Sequence, residues 1–407
     1  MPKGDLADER KNSILSYMAY NGNGFSARMK GWMIVMKRVL RGMRHGLFLL
    51  PALLALLLFK LLPHFPHFTE TVFSRGIFRV ISVPVGGFLA VFPVSFTELL
   101  VILALPLAVL LIVLLIRRLR AAESRGRVLA RAGKGIGWVL SFAALSYMLL
   151  HGANFYRLPA AELMGLDTTI QSPEYLQQVC IDLARRASAE RENLSEDEEG
   201  CTVLSVSKTD ILRLADEGYR RMDDTYPFLW GGVWRAKPVM LSHWWSYTGI
   251  TGMYFPMLVE ANVNIDVPDS EIPATAAHEL AHTRGFARED ECNFFAYLTA
   301  THSDSADFRY SGYLMAYIYC SNALYDYDTD MWAVTREYCS DGVKRDLGQR
   351  NAYWDQFEGE VQDVSSSINN GFIASQGDEA GIFSYDRVVQ LIVGYYRAGE
   401  ITFLPQE

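Results

Sequence analysis

Two histidines four residues apart, with a glutamate beside the first, stand in the run HELAH from His278 to His282. On a helix, positions i and i+4 share a face, so both imidazoles can reach one metal ion and Glu279 stands beside the open coordination position. Zinc hydrolases use this arrangement: the imidazoles hold the ion, and the glutamate takes a proton from the attacking water. The helix has its own start and stop signals. Asp269 or Ser270 followed by Glu271-Ile272-Pro273 makes a helix start with proline in the first turn, and Gly285 is a natural stop.

Two histidines leave a catalytic zinc one protein ligand short, and the next helix, EDECNFFAYLTA, opens with Glu289 and Glu291. Acids at a helix start also simply offset the macrodipole. Helical geometry separates the two candidates: Glu289 and Asn293 are i and i+4, whereas Glu291 points roughly 200° away from Glu289. With Glu289 as third ligand, Asn293 is placed to hydrogen-bond a ligand histidine. Glu291 is the alternative ligand.

The motif helix follows PMLVEANVNID, which alternates as a strand does, with Val259, Ala261, Val263 and Ile265 on one face. The other face carries Glu260, Asn262 and Asn264, which fit an edge strand along a substrate cleft; ordinary solvent exposure explains the alternation equally well. His243, His302, Tyr254, Tyr297 and Arg288 are candidate donors to an oxyanion, and structural hydrogen bonding is at least as good a reading of each. Trp230, Trp234, Trp244 and Trp245 could form a pocket or rest on the bilayer surface, with core packing as the default expectation.

Helices are expected near residues 172–193, 208–224, 306–325, 330–348, 353–369 and 385–398, so the rear of the chain reads as α-rich with a small sheet. The front is different. Apolar runs at 47–62, 97–116 and 136–154 predict three transmembrane helices. The stretch 69–96 is apolar but broken by Arg75, Arg79, Pro84, Gly86, Gly87 and Pro93, which predicts an interfacial or re-entrant segment. His45, His64, His67 and His151, at span ends, read as interface anchors.

Residues 1 to 156 carry 19 Lys and Arg against 6 Asp and Glu, and residues 157 to 407 carry 19 against 40. Basic residues cluster before the first span and in a loop at 117–134, which predicts a cytoplasmic N-terminal segment 1–46, a cytoplasmic loop and an extracytoplasmic part from 157 to 407. So acidic a rear half repels nucleic acid. Its five cysteines, an odd number with no CxxC pair, exclude a cysteine zinc ribbon; Cys180 and Cys201 are candidates to pair.

HELAHTRGFAREDECNFFAYL, with GMYFPMLVEANVNI before it and GIFSYDRVVQLIVGYY near the end, resembles a bacterial membrane family, domain of unknown function 3810. Its members pair a few N-terminal spans with an HELAH-type motif. The EDECN run is similar to the third-ligand helix of Glu-zincins, which matches Glu289 to the ligand and Asn293 to its helper. The resemblance implies a membrane-anchored zincin-like metallopeptidase that takes a peptide or protein substrate and works beside the lipid bilayer. Two rivals stand beside it: a membrane sensor, needing a cytoplasmic or membrane partner, and a scaffold whose metal is structural. The latter sits poorly with an open coordination position and an intact Glu279.

Overall fold

Apolar runs of 18 residues or more become helices wherever the backbone must satisfy its own hydrogen bonds. The computed structural model describes residues 46–169, 172–375 and 385–405; the basic segment 1–46 lies, except for Gly46, outside them. Among the described residues, four helices are long and apolar enough to cross a membrane: α1 (Leu47–His64), α2 (Pro66–Leu89), α3 (Phe96–Ala121) and α4 (Arg125–Leu150). Helices α3 and α4 run into each other across only 122–124, so the basic residues expected in a loop at 117–134 lie on adjoining helix ends. The spacing of Gly and Arg in α4 does not interrupt it, and the helix begins 11 residues before the expected 136.

Helix α2 occupies the stretch expected to be broken. It winds with the wider i to i+5 turn over Thr69–Phe78 and as an α-helix over Arg79–Leu89. Its glycines serve packing here: a side chain on Gly86 would collide with Val233, and one on Gly87 would press on the Gly232 carbonyl. Near the other end, Arg157 holds the Glu70 carboxylate at 2.7 and 2.9 Å, and Ser74 donates to Asn154 at 2.8 Å. Both ends of α2 therefore rest on the part of the chain that follows α4, and the helix runs along that part rather than away from it.

The Glu70–Arg157 pair is almost wholly buried, and Arg157 also donates to the Gly285 carbonyl at 2.8 Å. Removing one partner leaves an uncompensated buried charge. Glu70→Ala is thus expected to cost about 3–5 kcal/mol, visible as a lower unfolding temperature of the detergent-solubilised protein.

Beyond residue 157 the chain is helical around a three-stranded sheet of β1 (Lys237–Val239), β2 (Gly252–Phe255) and β3 (Glu260–Asn264). The order is β1-β3-β2, with β1 parallel and β2 antiparallel to the central β3. The expected helix at 208–224 is two, Lys208–Leu214 and Asp216–Met222, and that at 330–348 divides where Ser340 caps Asp341–Asp355. The helix expected from 353 begins at Glu360. Cys180 and Cys201 do not pair; all five cysteines are free and buried.

Two expectations about exposure fail. Glu260, Asn262 and Asn264 do not line a cleft, because β3 is the central strand and all three are buried. The first two find partners at the start of α3: Glu260 accepts from the Thr97 N–H at 2.8 Å and also pairs with buried Lys237, and Ser95 donates to Asn262 at 2.6 Å, while Asn264 donates to Ser246 and to the Ile250 carbonyl. A carboxylate at a helix N-terminus is the favoured charge there. The tryptophans are not core either: Trp230, Trp234 and Trp244 are exposed.

Candidate metal centre

The motif helix α5 (Ile272–Thr283) starts with Pro273 in its first turn, where no N–H is missed. It ends in a left-handed glycine, Gly285 at φ 83°, with the Gly285 N–H on the His282 carbonyl and the Phe286 N–H on the Ala281 carbonyl. That reversal delivers the chain to α6 (Glu289–Thr301), most of which is buried. It also aims the Phe286 carbonyl back at the motif helix, where it accepts the His282 Nδ1 proton at 2.9 Å.

The structure brings His278, His282 and Glu289 to one point, with one donor atom from each within 4.8 Å of the others. His278 Nε2 lies 3.1 Å from Glu289 Oε2, and His282 Nε2 lies 3.6 Å from Glu289 Oε1. Tetrahedral zinc at its usual bond lengths needs neighbouring ligand atoms about 3.3 Å apart, which these pairs bracket. Asn293 Oδ1 accepts from His278 Nδ1 at 2.7 Å. Both imidazoles thus have Nδ1 engaged by an acceptor, leaving the Nε2 lone pairs to face the carboxylate. The donor set suits zinc. Asn293→Ala is expected to weaken metal affinity about 10- to 100-fold, measurable by competition with a chelating dye.

Glu291 is not part of this group. Its carboxylate accepts from the Ala160 N–H and from Arg288, each at 2.7 Å, and so ties the linker after α4 to α6. Glu279 stands beside it: the side chain is buried, and Oε2 has no hydrogen-bond partner. Burial pushes its carboxyl up to about 7, against the pull of the two imidazoles. Burial alone would raise Glu289 as well, but His282 and His278 hold that carboxyl well below the usual range.

Of the candidate oxyanion donors, only Tyr254 reaches the centre. Its ring stacks on His282 with centroids 5.7 Å apart, but its hydroxyl is engaged by the Leu150 carbonyl at 3.0 Å. Arg288 is spent on the Phe155, Arg157 and Leu158 carbonyls, His243 on Asp266, His302 on the Leu298 carbonyl, and Tyr297 is enclosed by Phe294 and Tyr313.

Three residues at the centre escaped the sequence reading. His151, expected as an interface anchor, is buried with its ring 5.8 Å from His282. Cys292 Sγ lies 3.3 Å from His282 Nδ1, on the side of the ring away from Glu289. Gly252 lies so close over Glu279 that any side chain there would strike the carboxylate. A glycine opening a strand is the one local signal among these, since it marks close approach.

Fold and centre together define a class: a helix-rich protein with four candidate membrane helices and a His-His-Glu cluster on two packed helices. The chain belongs to the family described as "Protein of unknown function (DUF3810)", whose model matches residues 73–393. No curated protein and no solved structure matches it.

Proposed function

We propose that the protein is a membrane-anchored zinc peptidase, with His278, His282 and Glu289 as the metal ligands and Glu279 as the general base. The observation that carries this reading is the buried Glu279 carboxylate, its Oε2 without a hydrogen-bond partner, beside three converging donors and beneath a sheet edge. Structural zinc sites close with four protein ligands, and among the described residues no fourth His, Cys, Asp or Glu joins this group.

Zinc held there would supply Lewis acidity toward a carbonyl oxygen and make a water easier to deprotonate. Glu279 accepts the proton of the attacking water and returns it to the leaving amide nitrogen. Strand β2 holds the substrate. The Asn264 N–H pairs with the Thr251 carbonyl, so the alternate residues Gly252 and Tyr254 turn their backbone groups away from β3, free to pair with an extended peptide. Asn293 and the Phe286 carbonyl keep the imidazoles in register.

The start of α3 and the end of α4 both meet the globular part, through Thr97 and Leu150, while the basic residues from Arg117 to Lys134 crowd the opposite ends. Basic ends favour the cytoplasm, which supports a globular part outside it. The activity test is incubation of the zinc-loaded, full-length protein with a peptide mixture of diverse sequence, read by mass spectrometry. Cleavage that stops with chelator and returns with zinc is expected; its absence with zinc bound would overturn the reading.

A further inference from the structure

We infer that the site acts on polypeptides tethered in the bilayer, cutting them within a few residues of where they leave it. This rests on the peptidase reading and concerns which peptides reach the centre.

The centre stands at the end of a membrane helix. His151, the residue after α4, packs its ring against His282 and Tyr254, and the Leu150 carbonyl accepts the Tyr254 hydroxyl. Phe142 is the last large apolar side chain of α4 left exposed along the helix. Nine residues of helix rise about 13 Å, so His151 stands on the order of 13 Å beyond Phe142 along α4.

The edge that can hold a substrate leads down to that surface. Strand β2 begins at Gly252, over Glu279, and ends at Phe255, opposite Glu260, whose carboxylate receives the first N–H groups of α3. Its three-residue step spans about 10 Å. A chain paired along β2 therefore runs from the foot of α3 to the general base.

The rim at the foot of α3 is apolar. Glu98 in the first turn of α3 accepts the backbone N–H groups of Met240 and Leu241 at 3.0 and 2.7 Å, which fixes that loop at the level of the helix start. Met240 is 85% exposed and Trp244 67%, and Met257, in the turn joining β2 to β3, is 41% exposed. Continuous with the lipid-facing side chains of α3, this rim fits the headgroup region of a bilayer, where tryptophan is at home. The lower mouth of the cleft thus opens onto lipid, and a tethered chain is presented to it directly.

The test uses full-length protein in zinc-containing proteoliposomes with two substrates that share one peptide sequence, chosen from those cleaved in the diverse mixture. One carries a synthetic transmembrane helix and the other is free. The tethered form is expected to be cut at least tenfold faster, and the cut should stay within the same few residues of the helix end when a five-residue Gly-Ser spacer slides the sequence outward. Equal rates, or a cut that moves with the sequence, would overturn the inference and leave the peptidase reading standing. Cleavage of neither form, nor of the mixture, would overturn both. A readout free of turnover comes from the Glu279→Gln protein with a photoreactive residue in place of Met253. It should crosslink the tethered peptide in preference to the free one, and equal crosslinking counts against the inference.

Discussion

Glu279→Gln is expected to lower peptide hydrolysis by about a hundredfold or more while leaving fold and zinc content intact, since general-base catalysis contributes about 10²–10⁴-fold and the amide has no basic oxygen to replace it. The same substitution carries a stability signature. Burial raises the Glu279 carboxyl from 4.5 to about 7 in the metal-free protein. An acid whose folded pKa is raised contributes stability that is fully present below its unfolded value and lost as pH rises through the folded one. The loss runs from about pH 4.5 to 7 and amounts to about 3 kcal/mol. Glutamine does not titrate, so metal-free Glu279→Gln should gain thermal stability over the native protein as pH climbs from 5 to 8. Parallel unfolding temperatures across that range would contradict the burial of a charge-bearing carboxyl.

The second large effect separates two neighbouring acids. Glu289→Ala is expected to abolish zinc retention through dialysis, because it removes the carboxylate that faces the Nε2 atoms of both His278 and His282. Glu291→Ala should keep zinc but unfold at a lower temperature, because it frees the Ala160 N–H and removes the carboxylate that pairs with Arg288. Metal content and unfolding temperature, measured on both variants, should therefore move in opposite patterns.

That contrast shows which parts of the centre a linear reading reaches. Periodicity along one helix is local, so the shared face of His278 and His282, and that of Glu289 and Asn293, follow from spacing alone. Gly285 was equally readable, because a left-handed residue closing a helix is a property of a few consecutive residues. Tertiary neighbours are another matter. His151 is 131 residues before His282 and reaches it only because α4 ends under the sheet.

Alternation in β3 misled for a related reason. A polar face looks the same whether it meets water or a helix N-terminus, and Glu260 and Asn262 meet the latter. In α2, Gly86 and Gly87 looked like breaks in a helix, but they admit a closely packed neighbour. Composition counts what a residue permits; the partner decides which permission is used.

The central claim is that two imidazoles and one carboxylate hold a zinc ion beside Glu279. Metal analysis combined with zinc-edge X-ray absorption on the full-length wild-type protein in detergent tests it most directly. The account predicts one zinc per chain bound by two imidazole nitrogens with the remaining ligands oxygen, and the loss of that signal in His278→Ala. A chain that takes up no zinc after reconstitution, or a sulfur ligand in the spectrum, would contradict it.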